Sequence, residues 1–152
     1  GSESGWLLDR LRRPTPRVGI GRALYGLASA VIDISDGLLA DLGQIVVASG
    51  QAGALIETAS LPLSPAAESY PPEDRMTAAL TGGDDYELCM TVPQAESHRM
   101  RRLSEETGVL LTDIGCITAQ AGITLTRAGV PIPRPNRAGY EHLWPVIEEG
   151  GS

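Results

Sequence analysis

Two carboxylates and a hydroxyl fall within four residues of the run Val31-Ile32-Asp33-Ile34-Ser35-Asp36-Gly37-Leu38-Leu39. Apolar β-branched residues precede them and leucines follow, a pattern that predicts strand, turn and helix in that order. A carboxylate at the end of a buried strand is costly to desolvate unless something pairs with it. A helix beginning just after the turn aims its first N–H groups back at the same small volume. Carboxylates and N–H donors together suit a magnesium ion bridging to phosphate, because that ion takes one or two carboxylates plus phosphate oxygens. A plainer role competes: Ser35 or Asp36 acting only as a helix N-cap. A cap does not account for Asp33.

A second cluster is Gly82-Gly83-Asp84-Asp85-Tyr86-Glu87-Leu88. Two glycines permit close backbone approach to a ligand. Adjacent acids entering a strand point to opposite sides, so one faces a ligand or metal and the other a structural partner. The competing reading is an acidic turn that solubilises the strand start. His98 sits among Arg99, Arg101 and Arg102 with Glu96, Glu105 and Glu106 nearby, which reads as a solvated helix face. His142 lies in the tail after Gly139, where Tyr140 and Trp144 read as an anchor that packs the C-terminus down. The two histidines and two cysteines do not form a nucleophilic arrangement. The chain lacks the GxxxxGK[ST] phosphate loop, and Gly19-Ile20-Gly21 is too short a signal to name anything.

The elements that must position these residues follow from periodicity. Trp6, Leu7, Leu8 and Leu11 have helical spacing, ended by Pro14 and Pro16, with a linker over 12–17. Residues 18–28 read as a packed helix, 30–34 as a buried strand, and 38–49 as a helix whose apolar face is Leu38, Leu39, Leu42, Ile45 and Val46. Strands are expected over 52–58, 86–92, 109–118 and 123–126, the last two joined by a short turn at 120–122. Helices are expected over 74–80 and 94–107, and a loop over 61–72. Interleaved helices and strands give an α/β (α+β) sandwich, a mixed sheet covered by helices.

The 152 residues suffice for one domain with its own core. Hydrophobic residues make up 42% and Phe is absent, so the core is aliphatic. A net charge of −7 disfavours nucleic acid and anionic membrane as partners, yet suits a cation that in turn holds phosphate. No signal peptide or membrane-length apolar run is present, which leads to the expectation of a cytoplasmic protein. Cys89 and Cys116 both lie in strand-like runs and are expected to be reduced packing residues. Gly1-Ser2 reads as a tag remnant, and the chain reads as a piece of something longer.

Four segments in this order, Arg13-Pro14-Thr15-Pro16-Arg17-Val18, Ala30 to Leu42, Leu61-Pro62-Leu63-Ser64 and Gly82 to Leu88, closed by Gly139-Tyr140-Glu141-His142, resemble the C-terminal half of thiamine-monophosphate kinases. That family belongs to the superfamily of aminoimidazole-ribonucleotide synthetase. The resemblance implies that residues 18–147 form the C-terminal α/β domain, with 1–17 as tag remnant, short helix and linker. It also implies that an N-terminal ATP-binding and dimerisation domain is missing.

The implied reaction is transfer of the γ-phosphoryl of ATP to thiamine monophosphate, giving thiamine diphosphate with Mg2+ assistance in a homodimer. Asp33 and Asp36 match magnesium ligands, Ser35 an ATP contact, and Asp84 and Tyr140 substrate contacts. No catalytic residue is assigned, and many relatives have His where this chain has Gln44. The fragment alone is expected to be inactive. A non-catalytic binding module, or a related ATP-dependent synthase of the same superfamily, are the alternative readings.

Overall fold

The computed structural model describes residues 13, 15–50, 52–83 and 86–135. The helix expected over 6–11 and the tail residues Tyr140, His142 and Trp144 lie outside them. Helix α1 spans Val18–Ala23, and strand β1 Ala30–Asp33. Helix α2 spans Leu38–Ala48, β2 Gly53–Glu57, α3 Pro72–Thr81 and β3 Leu88–Thr91. Helix α4 spans Ser97–Thr107 and is followed by β4 Gly115–Thr118, β5 Gly122–Arg127 and β6 Val130–Ile132. Short 3-10 turns fill Thr58–Ser60, Pro65–Ser69 and Gln94–Glu96.

Two sheets form. β1 pairs antiparallel with β3, placing Asp33 opposite Leu88. The other sheet has order β4-β2-β5-β6 and is mixed, because β2 runs parallel to β5 and antiparallel to β4. Helix α2 packs on β1, β3 and β5 and on α3. Its buried Leu38, Leu42, Ile45 and Val46 join Ala54 and Ile56 of β2, Ile123 and Leu125 of β5, Leu80 of α3 and Cys89 of β3 in one core. The 3.6-residue period of α2 creates that contact, and each such side chain contributes roughly 1.5–3 kcal/mol by leaving water. The expected α/β architecture with a mixed sheet is therefore what the chain adopts.

Several expectations about individual elements need correction. Strand β1 is not buried: Val31 and Asp33 are exposed, because β1 pairs on only one edge and alternate residues face outward. The helix expected to reach residue 28 stops at Ala23, where the Tyr25 N–H bonds three residues back to Arg22 O, at 3.3 Å, in a tighter turn. The strand expected from Tyr86 starts at Leu88, since Tyr86 has φ 55, which no strand residue adopts. Of residues 109–118, only Gly115–Thr118 forms the strand, with the Ile114 carbonyl accepting the Glu57 N–H just before it.

The two strands joined by the short turn at 120–122 are not partners in a hairpin, because β2 lies between them. Their connection crosses the start of β2, with the Gln120 carbonyl in the space a side chain at Gly53 would need. The hairpin is instead β5–β6, turning at Ala128 and Gly129, with Arg127 opposite Val130.

Candidate phosphate and metal site

Residues 34–37 connect β1 to α2. The Ile34 N–H donates to Glu87 O at 2.9 Å, extending the β1–β3 pairing one step into both acidic motifs. Gly37 occupies the N-cap position of α2 at φ 115 and ψ 151. Only glycine takes that conformation cheaply, and a Cβ there would stand 2.9 Å from the carbonyl carbon and oxygen of Thr81. At Gly83 a Cβ would strike the carbonyl oxygen of Ser35. The last turn of α3 and the Gly82-Gly83 pair therefore lie backbone against backbone on the Asp33–Gly37 turn. Two motifs almost 50 residues apart in the chain meet because glycine lets them.

Within the turn, Ile34 packs against the core. Asp33 and Ser35 are exposed and Asp36 is half-buried. No side chain caps α2, so the N-cap role weighed for Ser35 and Asp36 is not the one they fill: the cap position belongs to Gly37. Asp84 and Asp85, next after Gly83, lie outside the described residues, as does Tyr140.

The sequence reading missed Asp41. It is 1% exposed and sits in the first turn of α2. Its Oδ2 accepts the N–H of Ser35 at 2.9 Å and the N–H of Asp36 at 3.1 Å. Its Oδ1 accepts Gln44 Nε2 at 3.3 Å. The backbone donors of Ser35 and Asp36 thus point inward to a carboxylate rather than outward to a ligand. The signal was present in the sequence: Asp41 lies on the Leu38–Leu42–Ile45 stripe, where an acid has no reason to be unless it is paired.

A second pairing fixes the other motif. Arg17 Nε and Nη2 donate to Glu87 Oε2 and Oε1 at 2.8 and 2.6 Å. The hydrogen bond to Glu87 raises the pKa of the Arg17 guanidinium above its ordinary value. Between Glu87 and the acid pair, Tyr86 holds φ 55 with its ring half exposed. Cys89, inside β3, is buried, and burial followed by the charge of Asp41 raises its thiol pKa. Both thiols are free, as expected, but Cys116 is exposed on β4 and is not the packing residue that its apolar run led one to expect.

Among the described residues no group of three His, Cys, Asp or Glu side chains gathers to cage a metal. Among the described residues the side-chain carboxylates of Asp33 and Asp36 have no hydrogen-bond or ion-pair partner, so both remain available from one turn. That donor set fits a magnesium ion held partly by phosphate and water, and does not fit an all-protein cage. Among the described residues no helix is long and apolar enough to cross a membrane.

No family model matches the chain. Thiamine-monophosphate kinase of Escherichia coli strain K12 is 42% identical over 143 residues, covering 93% of this chain and 43% of that protein. The enzyme of the same name from Haemophilus influenzae is 37% identical over 146 residues, covering 93% and 44%. The chain thus spans less than half the length of these curated relatives and matches their C-terminal part. Among solved structures, thiamine-monophosphate kinase from Stenotrophomonas maltophilia K279a superposes with a TM-score of 0.74 at 43% identity, covering 77% of this chain and 37% of that one. AaThiL complexed with AMPPCP and TMP gives 0.64 at 28% identity, covering 90% and 40%.

Proposed function

From a chain that is homologous over nearly its whole length to the C-terminal part of thiamine-monophosphate kinases, we propose one wall of a phosphoryl-transfer site, acting in the ATP-dependent phosphorylation of thiamine monophosphate to thiamine diphosphate. The observation that carries the reading is the close approach of Gly83 to the Ser35 backbone, which seats the Gly82-Gly83 start of the second motif on the Asp33–Gly37 turn, while among the described residues the Asp33 and Asp36 carboxylates have no partner. The complex of AaThiL with AMPPCP and TMP supports the two ligands.

In this reading Asp33 and Asp36 hold Mg2+, which when bound neutralises phosphate charge. Ser35, exposed between them, donates its hydroxyl to the nucleotide. Phosphoryl transfer asks a protein mainly for alignment and charge neutralisation, and a rigid turn between β1 and α2 supplies alignment. Asp84 and Tyr140 contact the thiamine substrate. Residues 18–147 form the C-terminal domain of an enzyme whose other domain supplies the remaining nucleotide contacts and the dimer, in the cytoplasm.

The test is an assay of the whole protein with ATP, Mg2+ and thiamine monophosphate, reading thiamine diphosphate. Asp33→Ala and Asp36→Ala should each lower kcat at least a hundredfold. Unchanged rates in both variants would remove the site assignment. The 152-residue chain alone should give no product; turnover by it would overturn the need for a second wall.

A further inference from the structure

We propose that Asp41 is a positioning residue that sets the Asp33–Gly37 turn for metal binding, an inference that rests on the reading of that turn as a magnesium–phosphate site. Asp41 touches no ligand in this reading. It acts through the backbone of the two residues whose side chains do.

Three observations carry it. The carboxylate is 1% exposed, and no arginine, lysine or histidine among the described residues pairs with it. A buried carboxylate without a cationic partner is expensive, so its hydrogen bonds must answer for its presence. All three come from N–H donors: Ser35 and Asp36 backbone on Oδ2, Gln44 amide on Oδ1. Both turn donors converge on one oxygen, which fixes the peptide planes on either side of Ser35. With those planes fixed, the directions in which Ser35 and Asp36 carry their side chains are set, Ser35 exposed and Asp36 half-buried.

A residue needed only for packing on this stripe, among Leu38, Leu42 and Ile45, would be apolar, but an apolar residue would leave the Ser35 and Asp36 N–H groups without their acceptor. The carboxylate instead orients groups that orient a metal, the arrangement by which outer partners typically contribute tenfold to a hundredfold in metal affinity or activity.

The experiment uses the whole protein, with Asp41→Asn and Asp41→Ala. Asn keeps one oxygen for the two turn N–H groups, and Gln44 can turn its own oxygen toward the new amide. Asp41→Ala leaves both donors unsatisfied. Calorimetric titration of Mg2+ in the presence of ADP should show affinity falling about a hundredfold in Asp41→Ala and less than tenfold in Asp41→Asn. Hydrogen–deuterium exchange across residues 34–38 should quicken in the same order, while exchange in β2 and β5 stays as in the wild type. Wild-type Mg2+ affinity in Asp41→Ala, or a loss no larger than its loss of folded protein, overturns the inference. If Asp41→Ala does not fold, Asp41→Asn decides: normal exchange at Ser35 and Asp36 with a hundredfold loss of Mg2+ affinity would also refute positioning through the backbone. Wild-type protein that binds Mg2+ and ADP but does not phosphorylate thiamine monophosphate would sink the kinase reading and leave this one standing. Failure of the wild type to bind Mg2+ with ADP would sink both.

Discussion

Arg17 and Glu87 lie 70 residues apart and meet through two parallel hydrogen bonds of 2.8 and 2.6 Å. The fork joins the segment before α1 to the residue whose carbonyl accepts the Ile34 N–H. It therefore ties three stretches at one point: the lead-in to α1, the end of β1 and the acidic loop before β3.

Arg17→Ala should destabilise the chain by about 1 kcal/mol, because the pair is partly exposed and solvent screens it. The deficit should shrink in high salt. Glu87 has further interactions, so the single substitution overstates the pair. A double-mutant cycle with Glu87→Gln, read by urea denaturation, isolates it. Arg17→Lys should recover only part, since lysine has no planar fork. A coupling energy near zero would show that the fork holds nothing.

Much of this arrangement was legible in the sequence, and the limits have physical causes. The Asp33–Gly37 turn stands between a strand and a helix as read, because apolar period and turn residues are local signals. The partners of those residues were not legible. β2 separates β4 from β5 although a short turn links them, since strand order is settled by which faces bury together and not by loop length. Asp41 was hidden for the opposite reason: its spacing put it on the core face, but only the fold shows that the Ser35 and Asp36 N–H groups come within reach. Tyr86 broke an otherwise strand-like run by a backbone angle that residue type does not announce.

Gly37→Ala should cost roughly 2–3 kcal/mol. The added Cβ meets the Thr81 backbone at 2.9 Å, and φ 115 is a region where only glycine is unstrained. Relief would require α3 and the Gly82-Gly83 pair to move away from the acidic turn. Thermal unfolding measures the stability loss. Loss of Mg2+–ADP binding at a temperature where the variant is still folded measures the displacement. Wild-type stability would mean that the backbone contact between the motifs is slack.

Ala128→Asn should stabilise the fold by roughly 0.5–1 kcal/mol. Ala128 and Gly129 both have positive φ, 51 and 76, the conformation of a two-residue type I′ hairpin turn. Alanine is strained there by Cβ against its own carbonyl, whereas Asn tolerates it. The urea midpoint should rise with the m-value unchanged. An unchanged midpoint would show that the turn is held by its partners and not by its own preference.

One of those partners predicts a pH dependence. The Glu57 carboxylate accepts the N–H of Gly129 and of Ala128, each at 2.9 Å, and the Thr126 hydroxyl at 3.1 Å. These bonds, led by that from Gly129, lower its pKa below the ordinary value of 4.5. A lowered folded pKa means that the unfolded chain binds the proton first as pH falls. The contribution of Glu57 is therefore fully present above the unfolded pKa and is lost as pH falls through the lower folded one. Glu57→Gln should flatten the stability profile on that acid limb and leave its slope above pH ~6 unchanged. Urea unfolding from pH 7 to 3 gives the comparison. Parallel acid limbs in the two proteins would show that the turn N–H groups do not discriminate a carboxylate from an amide.

Thiol chemistry reports the core directly. Cys116 is exposed on β4, and Cys89 is buried in β3 with its pKa raised first by burial and then by the charge of Asp41. The thiolate is the reacting species, so Cys89 is shielded both by access and by protonation. An aromatic disulfide reagent at neutral pH should modify one thiol quickly, and the other only at the rate at which the core opens. Cys116→Ser should abolish the fast phase. Leu42→Ala should speed the slow phase, because removing a side chain that is 5% exposed destabilises the core around Cys89 by about 2–5 kcal/mol. Two fast thiols in the wild type would place Cys89 outside the core that α2 builds.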